Sequence, residues 1–194
     1  MKATRKAWIL SVGAVLLVAA TVFTTVAYLT STDAVTNTFT VGNVAITLDE
    51  AKVDLYGDPI PDADRVDSNT YKLIPGHTYT KDPTVHVADG SEDCWLFVKI
   101  ENGLGTDGVL AMSDGWTAME GAAGYYQYAS TVAAGTDVPV FTAFTFGVNA
   151  DPNDYVTLNE SGEVTDTAAI VVTAYAIQSD GFTSAAEAWS AAGF

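Results

Sequence analysis

The chain has 194 residues, 48% hydrophobic, 11% aromatic and 16% charged, with six prolines and one cysteine. A chain this apolar is neither disordered nor a charged coiled coil, and a single cysteine excludes an intrachain disulfide framework or a paired CxxC zinc site. Eight Lys and Arg against 24 Asp and Glu leave a net charge of −16, which excludes the clustered cations that nucleic acid requires.

Lys2, Arg5 and Lys6 open the chain, and no charged side chain follows until Asp33. Between them runs the apolar stretch Trp8–Ala20. A basic start followed by such a run reads as a secretory signal peptide, residues 1–27, with Ala27 as the small residue before cleavage and Tyr28 as the new amino terminus. As a helix the 26 uncharged residues 7–32 would reach about 39 Å, so an uncleaved segment could anchor in a membrane. That is the one membrane contact expected. Once the leader is removed, five cations face 24 acids, a net charge of −19 that suits a soluble exported protein, secreted to the extracellular matrix or cell surface.

Residues 28–42 are threonine-rich and carry one charge, and their intrinsic preference is extended. Val35, Asn37, Phe39 and Val41 fall on one side, and Thr36, Thr38 and Thr40 on the other. Such a terminus has two fates. It pairs as an edge strand of its own domain, or it adds to the sheet edge of a neighbouring copy. The second is head-to-tail and does not close, so it builds a filament. Leu29, Val35, Asn37, Phe39 and Val41 are the candidate donor-strand residues.

Residues 43–194 read as one domain of strands. Val44, Ile46 and Leu48 alternate with polar or small residues; Cys94, Leu96, Val98 and Ile100 share a face opposite Trp95, Phe97 and Lys99. Val138–Phe146 and Ala168–Ile177 are longer apolar runs; in the second, Ile170 and Val172 face one way and Val171, Tyr175 and Ile177 the other, which places that strand mid-sheet or under a covering element. Pro75-Gly76, Asp89-Gly90, Asn102-Gly103, Asp107-Gly108 and Asp114-Gly115 supply turns. Tyr56–Asn69 is an acidic, proline-bearing solvated loop. Thr183–Ala192 is the single clear helix, with Thr183 or Ser184 as cap, Gly193 as stop and Trp189 pinning it to the sheet. The expected fold is all-β: an antiparallel, jelly-roll-like β-sandwich with a short C-terminal helix, preceded by the signal-peptide helix.

Little catalysis is written into these residues. His77 and His86 are nine apart with no HExxH, and read as partly exposed strand or loop histidines. No GxSxG elbow is present. Cys94, within an apolar alternation, reads as a buried, unreactive thiol. Asp62, Asp64 and Asp67 offer hard oxygens to calcium but lack the glycine and glutamate of an EF-hand loop, so no cofactor is expected. Asp151-Pro152-Asn153-Asp154 reads as an Asx-capped turn, Asn159-Glu160-Ser161 as a chance glycosylation sequon, and Tyr125, Tyr126 and Tyr128 as cross-strand packing.

Val26-Ala-Tyr-Leu-Thr-Ser-Thr-Asp33 and Asn37-Thr-Phe-Thr-Val-Gly-Asn-Val44 resemble the start of proteins processed by a SipW-type signal peptidase. With Pro75–Val85, Glu92–Asn102, Ala174–Phe182 and Ala188-Trp189, the chain resembles the TasA/camelysin family over about half its length. The resemblance implies a jelly-roll protein secreted by a Gram-positive bacterium, with the signal peptidase as export partner. TasA-like members form biofilm-matrix fibres by passing the mature N-terminal strand, here about Tyr28–Thr40, to the next subunit; the partners are then copies of the same chain. Camelysin-like members are described as cell-surface metalloproteases, but no zinc motif supports that activity here. The expected function is therefore a secreted, self-assembling fibre protein. The alternatives are a camelysin-type metalloendopeptidase and a monomeric surface binding module.

Overall fold

Period-two alternation of apolar side chains is carried into the architecture of the described residues. A computed structural model describes residues 43–158 and 164–193, which fall in one compact unit, 41–194. Twelve strands and one helix form among the described residues: β1 (Ile46–Asp49), β2 (Thr78–Thr80), β3 (Thr84–Val87), β4 (Cys94–Asn102), β5 (Gly108–Met112), β6 (Trp116–Ala118), β7 (Tyr125–Tyr128), β8 (Asp137–Pro139), β9 (Phe141–Phe146), β10 (Val156–Leu158), β11 (Val164–Thr167), β12 (Ile170–Gln178) and α1 (Ala185–Ala192). Every named strand pair is antiparallel. The protein is all-β with one short C-terminal helix.

The expected strand Val138–Phe146 is divided into β8 and β9, and its partner into β2 and β3. Pro83 causes the division, because it has no N–H to give the ladder. The register nevertheless runs straight through the break. Thr78 faces Thr145 and Thr84 faces Pro139, while Lys81 N donates to Thr142 O (3.3 Å) and Val140 N to Pro83 O (2.8 Å). With β1 on β3 and β5 on β9, these strands form one bent layer in the order β1, β3/β2, β8/β9, β5. The second layer has the order β12, β4, β7, β6. β10 and β11 form a separate hairpin.

The inner faces of the two layers share one core. Val85 and Val87 from β3, Cys94, Leu96, Val98 and Ile100 from β4, Val138 from β8 and Phe141 from β9 are buried there, flanked by Ile46, Leu48, Ile170, Val172, Ala174 and Ala176. A second cluster joins Tyr79, Leu104, Phe144 and Phe146. Each large side chain so buried contributes roughly 1.5–3 kcal/mol. The opposite face of β4 and β12 is covered by α1, whose Trp189 ring lies 4.9 Å from Phe97, 5.2 Å from Tyr125 and 6.2 Å from Tyr175. This covering element is why β12 is apolar on both sides although it lies at the end of its sheet.

Candidate interaction groove

β1 and β12 close the same side of the two layers and approach one another there. Their backbone polarity follows from the hydrogen bonds around them. In β4, Cys94 exchanges both backbone bonds with Val132, and Ile100 N donates to Gly124 O. Even-numbered β4 residues therefore turn their N–H and C=O groups away from β12, and odd-numbered ones turn toward it. With Thr173 opposite Lys99 and Tyr175 opposite Phe97, the odd residues of β12 bond β4. Val172, Ala174 and Ala176 point their backbone groups outward, while their side chains face the core. β1 has the same arrangement. Ala45 O accepts from Ala88 N on the β3 side, so Ile46 and Leu48 present their backbone groups to the other side. Among the described residues neither edge carries a further strand, and only Glu50, just past β1, is bridged on that side, to Val66.

Beside these edges opens a groove of about 640 Å³, lined among others by Leu48, Leu73, Leu104, Phe144, Ile170 and Val172. Asp67, Ser68, Thr70, Lys72 and Asn153 also line it, and one buried polar constellation stands out among the polar residues. Glu50 is 3% exposed; it accepts from Lys81 Nζ and, at 2.9 Å, from Asn69 Nδ2. Asn69 is spent on fixing the chain, since Nδ2 also reaches Ala51 O (2.8 Å) and Oδ1 accepts from Val53 N (3.0 Å). Tyr71 lies beside Lys81; burial, with Glu50 and Asp82 nearby, pushes its phenol far above the ordinary range.

On the outer side of β1, Asp49 is held by Arg65, which also donates to Asp82 Oδ2 (3.1 Å) and Thr84 Oγ1 (3.1 Å). His86 spans from β1 to β8, with Nε2 2.8 Å from Asp49 and Nδ1 2.6 Å from Asp137. The two carboxylates sit on opposite ring nitrogens and do not converge on a common point. Among the described residues no group of three or more His, Cys, Asp or Glu is arranged to hold a metal ion.

The sequence-predicted sites separate clearly. The cleavage pair Ala27 and Tyr28, the donor residues Leu29, Val35, Asn37, Phe39 and Val41, and the sequon at 159–161 lie outside the described residues. Asp62, Asp64 and Asp67 are exposed, on a loop tied down by the Glu50–Val66 and Val53–Pro59 bridges. Cys94 is a buried free thiol whose pKa burial pushes up to about 11, well outside the reactive range. His77 gives one ring nitrogen to Tyr56 O at 2.8 Å. Tyr128 packs edge-on to Trp116, and Asp151 caps the 152–155 turn by accepting from Asn153 N. Sequence reasoning missed the groove and the Glu50–Lys81 pair. Their one sequence signal is a lone glutamate and a lone lysine at the ends of short strand patterns. Comparison with protein-family models, with curated proteins and with solved structures gave no match.

Proposed function

We propose that this chain is a secreted structural protein, a jelly-roll-like sandwich that assembles head to tail by donating its N-terminal segment, about 28–41, to the groove of the next copy. The observation that carries this reading is the pairing of two outward-facing strand edges with a groove beside them that offers the apolar side chains of Leu48, Leu73, Leu104, Phe144, Ile170 and Val172. An extended segment docked there would satisfy the backbone groups of Val172, Ala174 and Ala176 and bury alternate side chains against Leu48, Ile170 and Phe144. Two four-stranded antiparallel layers over one core are the arrangement such a sandwich needs. The resemblance to biofilm-matrix fibre subunits points the same way.

Electron microscopy of the secreted form, with N-terminal sequencing, tests the reading. Filaments should form from chains beginning at Tyr28 and disappear when residues 28–40 are deleted. Phe39→Asp should block them as well, because an unpaired charge buried against apolar side chains costs several kcal/mol. Protein that stays monomeric at high concentration with the segment intact would overturn the proposal.

A further inference from the structure

Among the polar residues that line the groove, Glu50 and Lys81 form a buried ion pair, their side chains 4% and 11% exposed, and that pair has a counterpart in the segment proposed to fill it. Lys81 carries three N–H donors on a side chain only 11% exposed. Among the described residues its hydrogen-bond partner is Glu50, so donor capacity remains next to the groove it lines. Asn69 has none left over, since its amide is committed to Glu50, Ala51 and Val53. Burying an ammonium with unspent donors is costly unless an acceptor arrives.

Between Val35 and Val41 the donor segment has one polar residue, Asn37, in the alternation Val35, Asn37, Phe39, Val41; Ser31 and Asp33 fall in the same alternation nearer the terminus. A side-chain amide offers one carbonyl acceptor and two N–H donors. It can therefore accept from the ammonium and donate to the free lone pairs of the carboxylate. Resting on the strand-donation reading, we propose that the Glu50–Lys81 pair of one copy recognises Asn37 of a second copy and thereby fixes the register of the inserted strand. A slip of two residues sets Val35 or Phe39 against the ion pair and leaves the amide buried among aliphatic groups. A slip of one turns the threonine face inward. A single buried polar contact of this kind selects one alignment among several that hydrophobic burial alone leaves nearly equal.

The test compares filament assembly of the full secreted chain by electron microscopy and light scattering. Asn37→Leu should raise the critical concentration about tenfold or more, whereas Thr38→Leu, on the opposite face, should leave it within about twofold. Lys81→Met alone strands Glu50, so the acceptor is changed as Glu50→Gln with Lys81→Met; on that background Asn37→Leu should no longer weaken assembly, which is the coupling a direct contact requires. Independently, a mixture of Asn37→Cys chains and chains carrying Lys81→Cys with Glu50→Gln should form an intermolecular disulfide, Cys94 being buried and out of the exchange. Filaments that form equally well with leucine at 37, or mixed chains that do not cross-link, would overturn the Asn37 pairing while leaving strand donation standing. A cross-link that forms only within a doubly substituted monomer would overturn the insertion between copies. Absence of filaments from the parent chain would remove the underlying reading itself.

Discussion

His86 is held by both of its ring nitrogens, each against a carboxylate, and only the protonated ring can donate from both. Burial works against charging it, but the hydrogen bonds to Asp137 and Asp49 outweigh that and raise its pKa above the ordinary 6.5. Asp49 is also pushed up by burial, and the bonds from Arg65 and His86 more than compensate, leaving its pKa below 3.8. The two groups bracket the range of best stability. The His86 contribution is complete below pH 6.5, the unfolded value, and disappears as pH rises through the higher folded value; the Asp49 contribution is lost only as pH falls through its depressed folded value. Thermal unfolding followed against pH should therefore show a decline above neutrality that His86→Gln flattens by lowering stability at and below pH 6.5, with a shallower acid limb because Asp49 loses one of its two partners. Imidazole titration by NMR checks it directly, and a His86 that titrates at or below 6.5 would refute the clamp. In the sequence, residues 49, 86 and 137 have no visible relation. The registers of β1 on β3 and β3 on β8 bring them together, so partial exposure of His86 was legible and its partners were not.

Legibility was highest where one element carries its own signals. The terminal helix has them all. Ser184 Oγ accepts from Glu187 N (3.3 Å), the Glu187 carboxylate returns to Thr183 N and Oγ1 (both 2.9 Å), and Gly193 closes the helix at φ 75°, a left-handed turn that glycine enters without a Cβ clash. Ser184→Ala should cost about 1 kcal/mol and Trp189→Ala about 3 kcal/mol through the lost ring contacts, both read from urea unfolding. If Trp189→Ala unfolds no earlier than the parent chain, the helix is not pinned through this ring. The long strands β4 and β12 were equally readable, because nine residues of alternation leave little ambiguity. The strands β2, β6 and β10, each of three residues, were not. A run that short shows no period of its own and extends only because a neighbour offers it a ladder. The groove was illegible for a related reason: it is built by segments more than a hundred residues apart, and each contributes one or two ordinary apolar side chains.

At the scale of the whole molecule, assembly sets edge pairing against charge. Copies cleaved after Ala27, as proposed, would carry five cations against 24 acids, a net charge of −19, and repel one another, and the Debye length shrinks from about 30 Å at 0.01 M salt to about 8 Å at 0.15 M. Filament formation should therefore become easier across that range, and a critical concentration that rises with salt would show that ion pairs between copies dominate instead. The edge polarity of β12 allows a sharper separation of assembly from folding. At Thr173 the N–H faces β4, so Thr173→Pro removes a ladder bond from the core sheet and should destabilise the monomer by about 3 kcal/mol or more. One residue on, Ala174 turns its N–H outward, where proline is tolerated at a sheet edge. Ala174→Pro should therefore leave the monomer much closer to the parent in urea unfolding, yet stop filament growth, because the acceptor edge has lost a donor and gained a ring where the incoming strand would lie. Equal destabilisation by the two prolines would mean that the outward edge of β12 is already occupied within its own subunit. Normal filaments from Ala174→Pro would move the acceptor site away from this edge altogether.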